Sequence, residues 1–167
     1  MSLVLRPFLP IDEQAARAGD EALKADDFTF LLGMREEMTW REWLEDVERT
    51  RAGIDLPSDR VRAALLAASV DGELVGRASI RFELNEWLAR EGGHIGYAVL
   101  PAFRRRGHAT EILRQAVLVA RSEGLGPLLV ICDEDNVGSA TVIERCGGVL
   151  EGVATTEQGK AIRRYWI

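Results

Sequence analysis

The chain has little of what builds metal centres or covalent frameworks. Its 167 residues include two cysteines, Cys132 and Cys146, and two histidines, His94 and His108. No C-x-x-C pair is present, so neither a zinc site nor a disulfide framework is expected, and no metal is assigned. So few thiols fit a reducing compartment, which makes the cytoplasm the expected address. No apolar run approaches the ~18 residues that span a bilayer, and the opening MSLVLRPFLP lacks the apolar core of a signal peptide. A membrane partner is therefore not expected. Positive charge is not in excess either: 21 Lys and Arg stand against 27 Asp and Glu, a formal net charge of −6. A nucleic-acid partner asks for a basic face, and this balance argues against one. Two familiar phosphate loops are missing as well, because the chain has no Gly-Lys-Ser/Thr and no G-x-G-x-x-G.

What is present reads as one globular domain over residues 1–167, with ordinary shares of apolar (47%) and charged (29%) residues. Residues 3–8 read as a first strand, ended by Pro10. Residues 12–25 and 39–52 carry a helical pattern. In the second, Trp40, Trp43, Leu44 and Val47 recur at spacings of three and four. Thr39 precedes them as N-cap, with Glu42 at the capping-box position. A loop follows over 52–59, and then the period shortens. Strand-like runs at 62–70 and 73–82 flank Asp71-Gly72, a strong hairpin pattern. GGHIGYAVL (92–100) is a further strand, stopped by Pro101. A helical face runs from Gly107 to near Gly124, PLLVIC (127–132) is a buried-type strand, residues 136–145 suit a helix, and the C-terminus suits a closing hairpin. This order predicts a mixed α/β sheet and not a doubly wound one.

The stretch RRRGHAT, Arg104 to Thr110, sits where a strand must turn into a helix. Successive N–H groups at such a turn converge on one point, and the helix dipole adds partial positive charge there. Gly107 allows unusual dihedrals and Ala109 keeps the first turn uncrowded. Arg104, Arg105 and Arg106 can pair with phosphate oxygens in a bidentate way. Against an acidic background this cluster predicts a local anion site suited to a pyrophosphate.

Arg104-x-x-Gly107-x-Ala109 resembles the R/Q-x-x-G-x-G/A signature of the GNAT (GCN5-related) acetyltransferases. The strand IGYAVLP before it is similar to the family's fourth strand, which a bulge splays from the fifth. Asp135-Asn136-x-x-Ser139 followed by VIERCGG resembles the family's N-x-x-S/A segment. The resemblance covers about the C-terminal 100 residues and is closest to a bacterial branch of predicted acetyltransferases. It implies an α/β (α+β) fold: one mixed, mostly antiparallel, twisted sheet of about six or seven strands, splayed between the fourth and fifth and flanked by about four helices. It further implies acetyl-CoA as co-substrate, held by the core 92–147. The pantetheine arm would pair with Ala98, Val99 and Leu100, the pyrophosphate with Arg104, Arg105, Arg106, Gly107, His108, Ala109 and Thr110, and the arm would also meet Asn136 and Ser139. Residues 12–60 and the 84–92 connection would shape an acceptor pocket. The implied activity is transfer of acetyl to a primary amine of a small molecule or a peptide by direct attack. A non-catalytic acyl-CoA sensor is the alternative, and sheet edges are compatible with a homodimer.

Departures from the family pattern fall on the chemistry. The tyrosine that often protonates the leaving thiolate is replaced by Ile143, so a substitute or water must serve, the candidates being Ser139, Tyr97 and Cys146. His94 is the sharpest candidate base because its ordinary pKa lies near neutrality. His94 and Tyr97 leave opposite faces of a regular strand, and a bulge between them would bring them together. Glu83 and Asn85 end the preceding strand within reach of the site. Cys132 reads as a small buried apolar residue. Trp40 and Trp43 read as helix packing, and Trp87 as a better candidate for the pocket wall.

Overall fold

The computed structural model describes residues 2–167. Its strands are β1 (Leu3–Pro7), β2 (Ala63–Val70), β3 (Glu73–Arg81), β4 (Ile95–Val99), β5 (Leu129–Asp133), β6 (Val149–Thr155) and β7 (Ala161–Trp166). Its helices are α1 (Glu13–Leu23), α2 (Trp40–Ala52), α3 (His108–Ser122) and α4 (Val137–Arg145). The strands form one sheet in the order β1-β2-β3-β4-β5-β7-β6. Every neighbouring pair is antiparallel except β4 and β5, which run parallel.

Local chemistry explains most boundaries. Thr39 accepts from Glu42 N while the Glu42 carboxylate accepts from Thr39 N at 2.7 Å, so both ends of the capping box close. Gly53, at φ 73°, ends α2 in the left-handed conformation that glycine adopts without strain. Between β2 and β3, Asp71 (φ 51°) and Gly72 (φ 85°) are both left-handed, as a two-residue hairpin turn demands. The strand read over 92–100 is shorter than its sequence pattern. Leu88–Gly92 wind into a single wide helical turn instead. Asn85 Oδ1 accepts from Leu88 N at 2.9 Å and starts that turn, and the buried Leu88 side chain anchors it.

The helices divide between the two faces. On one, Ile112, Leu113, Ala116 and Ala120 of α3 and Ala140 and Ile143 of α4 pack on Ala78, Ile80, Ile95, Val130 and Tyr165. On the other, Ala16 and Leu23 of α1 and Trp40 and Trp43 of α2 pack with Phe8, Phe30, Leu65 and Leu100. Trp43 is fully buried, its indole N–H donating to Leu32 O at 2.9 Å, and Trp40 donates to Leu9 O at 3.1 Å. Both indoles therefore spend their polar atoms on the packing of this layer.

Candidate active site

The site begins as a gap in the sheet. Arg81 N donates to His94 O at 2.7 Å and Leu100 N to Val75 O at 2.9 Å. Antiparallel pairing alternates, so Gly96 and Ala98 spend their backbone groups on β3, as do the His94 C=O and the Leu100 N–H, while His94 N donates to Leu129 O at 2.7 Å. Ile95, Tyr97 and Val99 turn theirs toward β5, where among the described residues the one rung is Ile95 against Val130, next to that His94 bond. β5 meanwhile follows β7, from Leu129 against Trp166 to Asp133 against Ile162. Each strand stays with its outer neighbour and the two separate beyond that rung, leaving a wedge. This corrects the expectation for the wedge's backbone: Val99, with Tyr97, points into it, whereas Ala98 and Leu100 are committed to β3. The expected bulge is also absent from β4, whose register against β3 runs unbroken from Ile95 to Val99. The slip in this half of the sheet lies between β2 and β3, where Val75 of β3 is the extra residue opposite Ala68 and Ser69.

At the wide end of the wedge the chain turns into α3. Gly107 is the N-cap at φ 82°, with no side chain to occupy the first N–H groups of the helix. A Cβ there would meet nothing within 4 Å, so its backbone conformation, and not crowding, calls for glycine. Arg105, at φ 66°, is the other left-handed residue of the turn. The three arginines differ in their ties. Arg104 Nε donates to Val99 O at 3.3 Å and its Nη2 meets Asp26 at 2.6 Å. Arg106 reaches Ala102 O and lies over the Phe103 ring. Arg105 is exposed and makes neither kind of contact. His108, Ala109 and Thr110 form the first turn of α3, their N–H groups directed at the same opening.

Tyr97 crosses the wedge on the α3/α4 face. Its hydroxyl lies 2.6 Å from Ser139 Oγ, and Ser139 N donates to Asn136 Oδ1, the N-cap of α4, at 3.0 Å. Asn136, Ser139 and Tyr97 are thus one connected group. Burial pushes the Tyr97 phenol well up, outweighing its bond to Ser139, so it stays protonated through neutral and alkaline pH. Ile143, one turn further, is fully buried in the core and offers no proton. Cys146 donates to Thr110 O at 3.5 Å, and burial pushes both its thiol and that of Cys132 up, away from the reactive thiolate.

His94 does not join Tyr97. With no slip between them their side chains leave opposite faces. Leu129 N donates to His94 Nδ1 at 2.9 Å. Burial, then the charge of Arg81, pushes the imidazole below its ordinary pKa. A neutral ring that accepts at Nδ1 carries its proton on Nε2 and has no lone pair left to take another. The expectation of a base at His94 gives way to a positioning role at the closed end of the wedge.

On the α1/α2 face lies a cavity of about 230 Å³ between Leu32–Gly33, α2, β2, the end of β3 and residues 85–88. Asp46, Asp59, Arg60, Ser79, Arg81 and Trp87 are among its lining residues. Trp87 is 51% exposed and forms wall, as expected, while Trp40 and Trp43 do not reach the cavity. Asn85 lines it but is held as the cap of the 88–92 turn, and Glu83 lies outside. Sequence reading missed Arg77 and Arg81. They stand four apart on β3 and so share one face, opposite Ala67, Ala98 and Ala63, with no acidic cross-strand neighbour. Two strand arginines among small residues were the available clue. No group of three or more His, Cys, Asp or Glu could hold a metal ion among the described residues.

A wedge with unpaired strand N–H groups, ending at an uncapped helix start beside exposed arginine, fits an apolar arm that carries a pyrophosphate. The comparisons point the same way. The family model for the acetyltransferase (GNAT) domain matches residues 3–149. A Salmonella typhimurium acetyltransferase that modifies the N-terminal serine of ribosomal protein L7/L12 superposes with a TM-score of 0.70 at 19% identity, over 100% of this chain and 95% of its own. Mycobacterium smegmatis RimJ, in complex with CoA-disulfide, gives 0.72 at 19% identity, over 99% and 81%. The microcin C7 self-immunity acetyltransferase MccE, in complex with acetyl-CoA and AMP, gives 0.68 at 17% identity, over 99% and 91%. No curated protein matches by sequence. At these identities the likeness is one of fold; the family match over most of the length decides the rest, and the chain belongs to the GNAT acetyltransferases.

Proposed function

We propose that the protein transfers the acetyl group of acetyl-CoA to a primary amine, and that it does so in the cytoplasm. The carrying observation is the wedge: Tyr97 and Val99 aim backbone groups into a gap that starts at Gly107 and closes at Ile95 against Val130. When bound, acetyl-CoA supplies an activated thioester carbonyl. The chain's part is to orient and polarise. Backbone N–H groups of Tyr97 and Val99 supply hydrogen bonds without reorganisation, the condition under which an oxyanion donor lowers a barrier most. The first N–H groups of α3 and the Arg105 guanidinium hold the pyrophosphate. Tyr97 Oη, held by Ser139 at 2.6 Å, keeps the proton that a departing sulfur needs, in place of Ile143. The amine enters from the opposite face, where the carboxylates of Asp46 and Asp59 can steady its ammonium form; it attacks as the neutral amine, its proton passing to water as the C–N bond forms and the C–S bond breaks.

Calorimetric titration of acetyl-CoA into the protein and into a Gly107→Glu variant tests the site, and release of free CoA across a panel of amines tests turnover. Binding lost in the variant and CoA released by an amine are the expected results. Binding without turnover would favour an acyl-CoA sensor, the reading that Ile143 supports. No binding to the unmodified protein would end both.

A further inference from the structure

Arg77 and Arg81 project together from β3 into the α1/α2 layer, and neither forms an ion pair among the described residues. Their guanidinium groups lie against β4 at Gly96, where a Cβ would meet Arg81 Nη1 at 3.3 Å and Arg77 Nη1 at 3.9 Å. The two differ in use. Arg77 is buried, donates to Phe30 O at 3.2 Å and Thr29 O at 2.7 Å, and stacks on Phe28. It pins the segment before α2 to the sheet. Arg81 makes one long side-chain bond, to Gly92 O at 3.4 Å, and is one of the residues lining the cavity. Burial, then the repulsion of Arg81, pushes Arg77 down from the ordinary arginine range.

Asp46 of α2, held by Arg60 at 3.1 Å, lines the same cavity together with Arg60 and with Asp59, which has no ion-pair partner among the described residues. An unmatched carboxylate and an arginine without an ion pair in one cavity complement a compact molecule bearing both an amine and a carboxylate. About 230 Å³ is the room of some seven or eight waters at ~30 Å³ each, enough for one amino-acid unit. A di- or polycation would set a positive group against Arg81. Resting on the acetyl-transfer reading above, we propose that this cavity selects amine acceptors that also carry a carboxylate, and that Arg81 binds the carboxylate beside the closed end of the wedge. The source of that chemistry is a free amino acid or the N-terminal residues of an acidic peptide.

The test is calorimetry on the full chain, saturated with CoA so that no turnover intervenes. The standard amino acids are titrated as free acids and as carboxamides. Short peptides with Asp or Glu at the second position are titrated beside their Asn and Gln counterparts. A charge-assisted bond to guanidinium predicts at least about tenfold tighter binding of the acid form in one of these series. Which series responds identifies the source. Arg81→Gln should bring the acid-to-amide ratio close to one, and Arg81→Lys should restore part of it; melting curves of both variants establish that they fold. Equal binding of acid and amide, preference for a polyamine, or an unchanged ratio in Arg81→Gln would overturn the assignment. A protein that shows the acid preference yet transfers no acetyl group would overturn the transfer reading and leave the carboxylate site standing.

Discussion

At the scale of single residues, the chemistry concentrates on Tyr97 and Gly107. Tyr97→Phe removes one hydroxyl, and with it the 2.6 Å contact to Ser139, from a partly buried side chain. General acids contribute about 10²–10⁴-fold, so kcat should fall by at least about tenfold while KM for acetyl-CoA changes little. The pH profile discriminates further. Burial raises the folded phenol's pKa, so the donor form persists as pH climbs past the usual tyrosine range. The wild type should keep its rate where an ordinary phenol would ionise, and stopped-flow CoA release between pH 7 and pH 10 would check it. Gly107→Ala meets open space but keeps a left-handed φ, a strain of about 1–2 kcal/mol. The expected outcome is a roughly fivefold to thirtyfold rise in the Kd of acetyl-CoA if that strain is relieved by displacing the loop.

At the scale of elements, the caps and turns carry testable weight. Asp12, 3% exposed, takes a two-bond fork from Arg6 at 2.7 and 2.9 Å and accepts from Leu9 N at 2.8 Å, tying the end of β1 to the start of α1. Burial alone would raise its pKa, but the Arg6 and Leu9 bonds outweigh burial and leave it below the ordinary 3.8. Its stabilisation is therefore complete above the unfolded pKa and is lost as pH falls through the lower folded value. Asp12→Asn should cost about 1–3 kcal/mol at pH 7, with melting temperatures of variant and wild type converging as pH falls through the lowered folded value. Trp43→Ala, by removing a fully buried indole, should cost about 3–5 kcal/mol in urea unfolding.

These elements also mark what sequence could and could not reveal. Asp71-Gly72 and the Thr39/Glu42 box were legible because each depends on dihedrals or bonds within four residues. The turn into α3 was legible for the same reason, since Gly107 and the start of the helix are contiguous. The assignment of Ala98 and Leu100 to the wedge failed because alternation along β4 is set by where β3 pairs, a partner ten or more residues away. His94 looked like a base for want of knowledge that Leu129 N would occupy its Nδ1. Arg81 was unremarkable until folding showed that α2 and residues 59–60 bring Asp46, Asp59 and Arg60 to the same cavity.

At the scale of the molecule, two helical layers clasp one sheet, and in the proposed reaction the two substrates would approach it from different sides. There the loop at 104–110 and α4 would serve the acyl carrier, while α2, β3 and residues 85–88, which enclose the cavity, would take the acceptor. Ligand binding to the folded state alone should stabilise it by about 2.7 kcal/mol at a hundredfold excess over Kd. For a chain of this size that corresponds to a rise in Tm of about 5–10 °C, readable by scanning fluorimetry with acetyl-CoA. Gly107→Glu should melt a few degrees lower on its own, from the left-handed strain at that position, and show little of the rise with acetyl-CoA.

The lone rung between Ile95 and Val130 has a mechanical meaning. N- and C-terminal strands sit on either side of it, β1 at one margin and β7 beyond β5 toward the other, so tension applied to the termini is carried across that seam. A pantetheine arm threaded along Tyr97 and Val99 would act as a splice, sharing load through bonds that the protein alone does not make. Pulled in a force spectrometer, the molecule should yield first along the seam and hold to a higher force with acetyl-CoA present. Supply of activated acetyl groups would then be registered as rigidity, before any acceptor arrives.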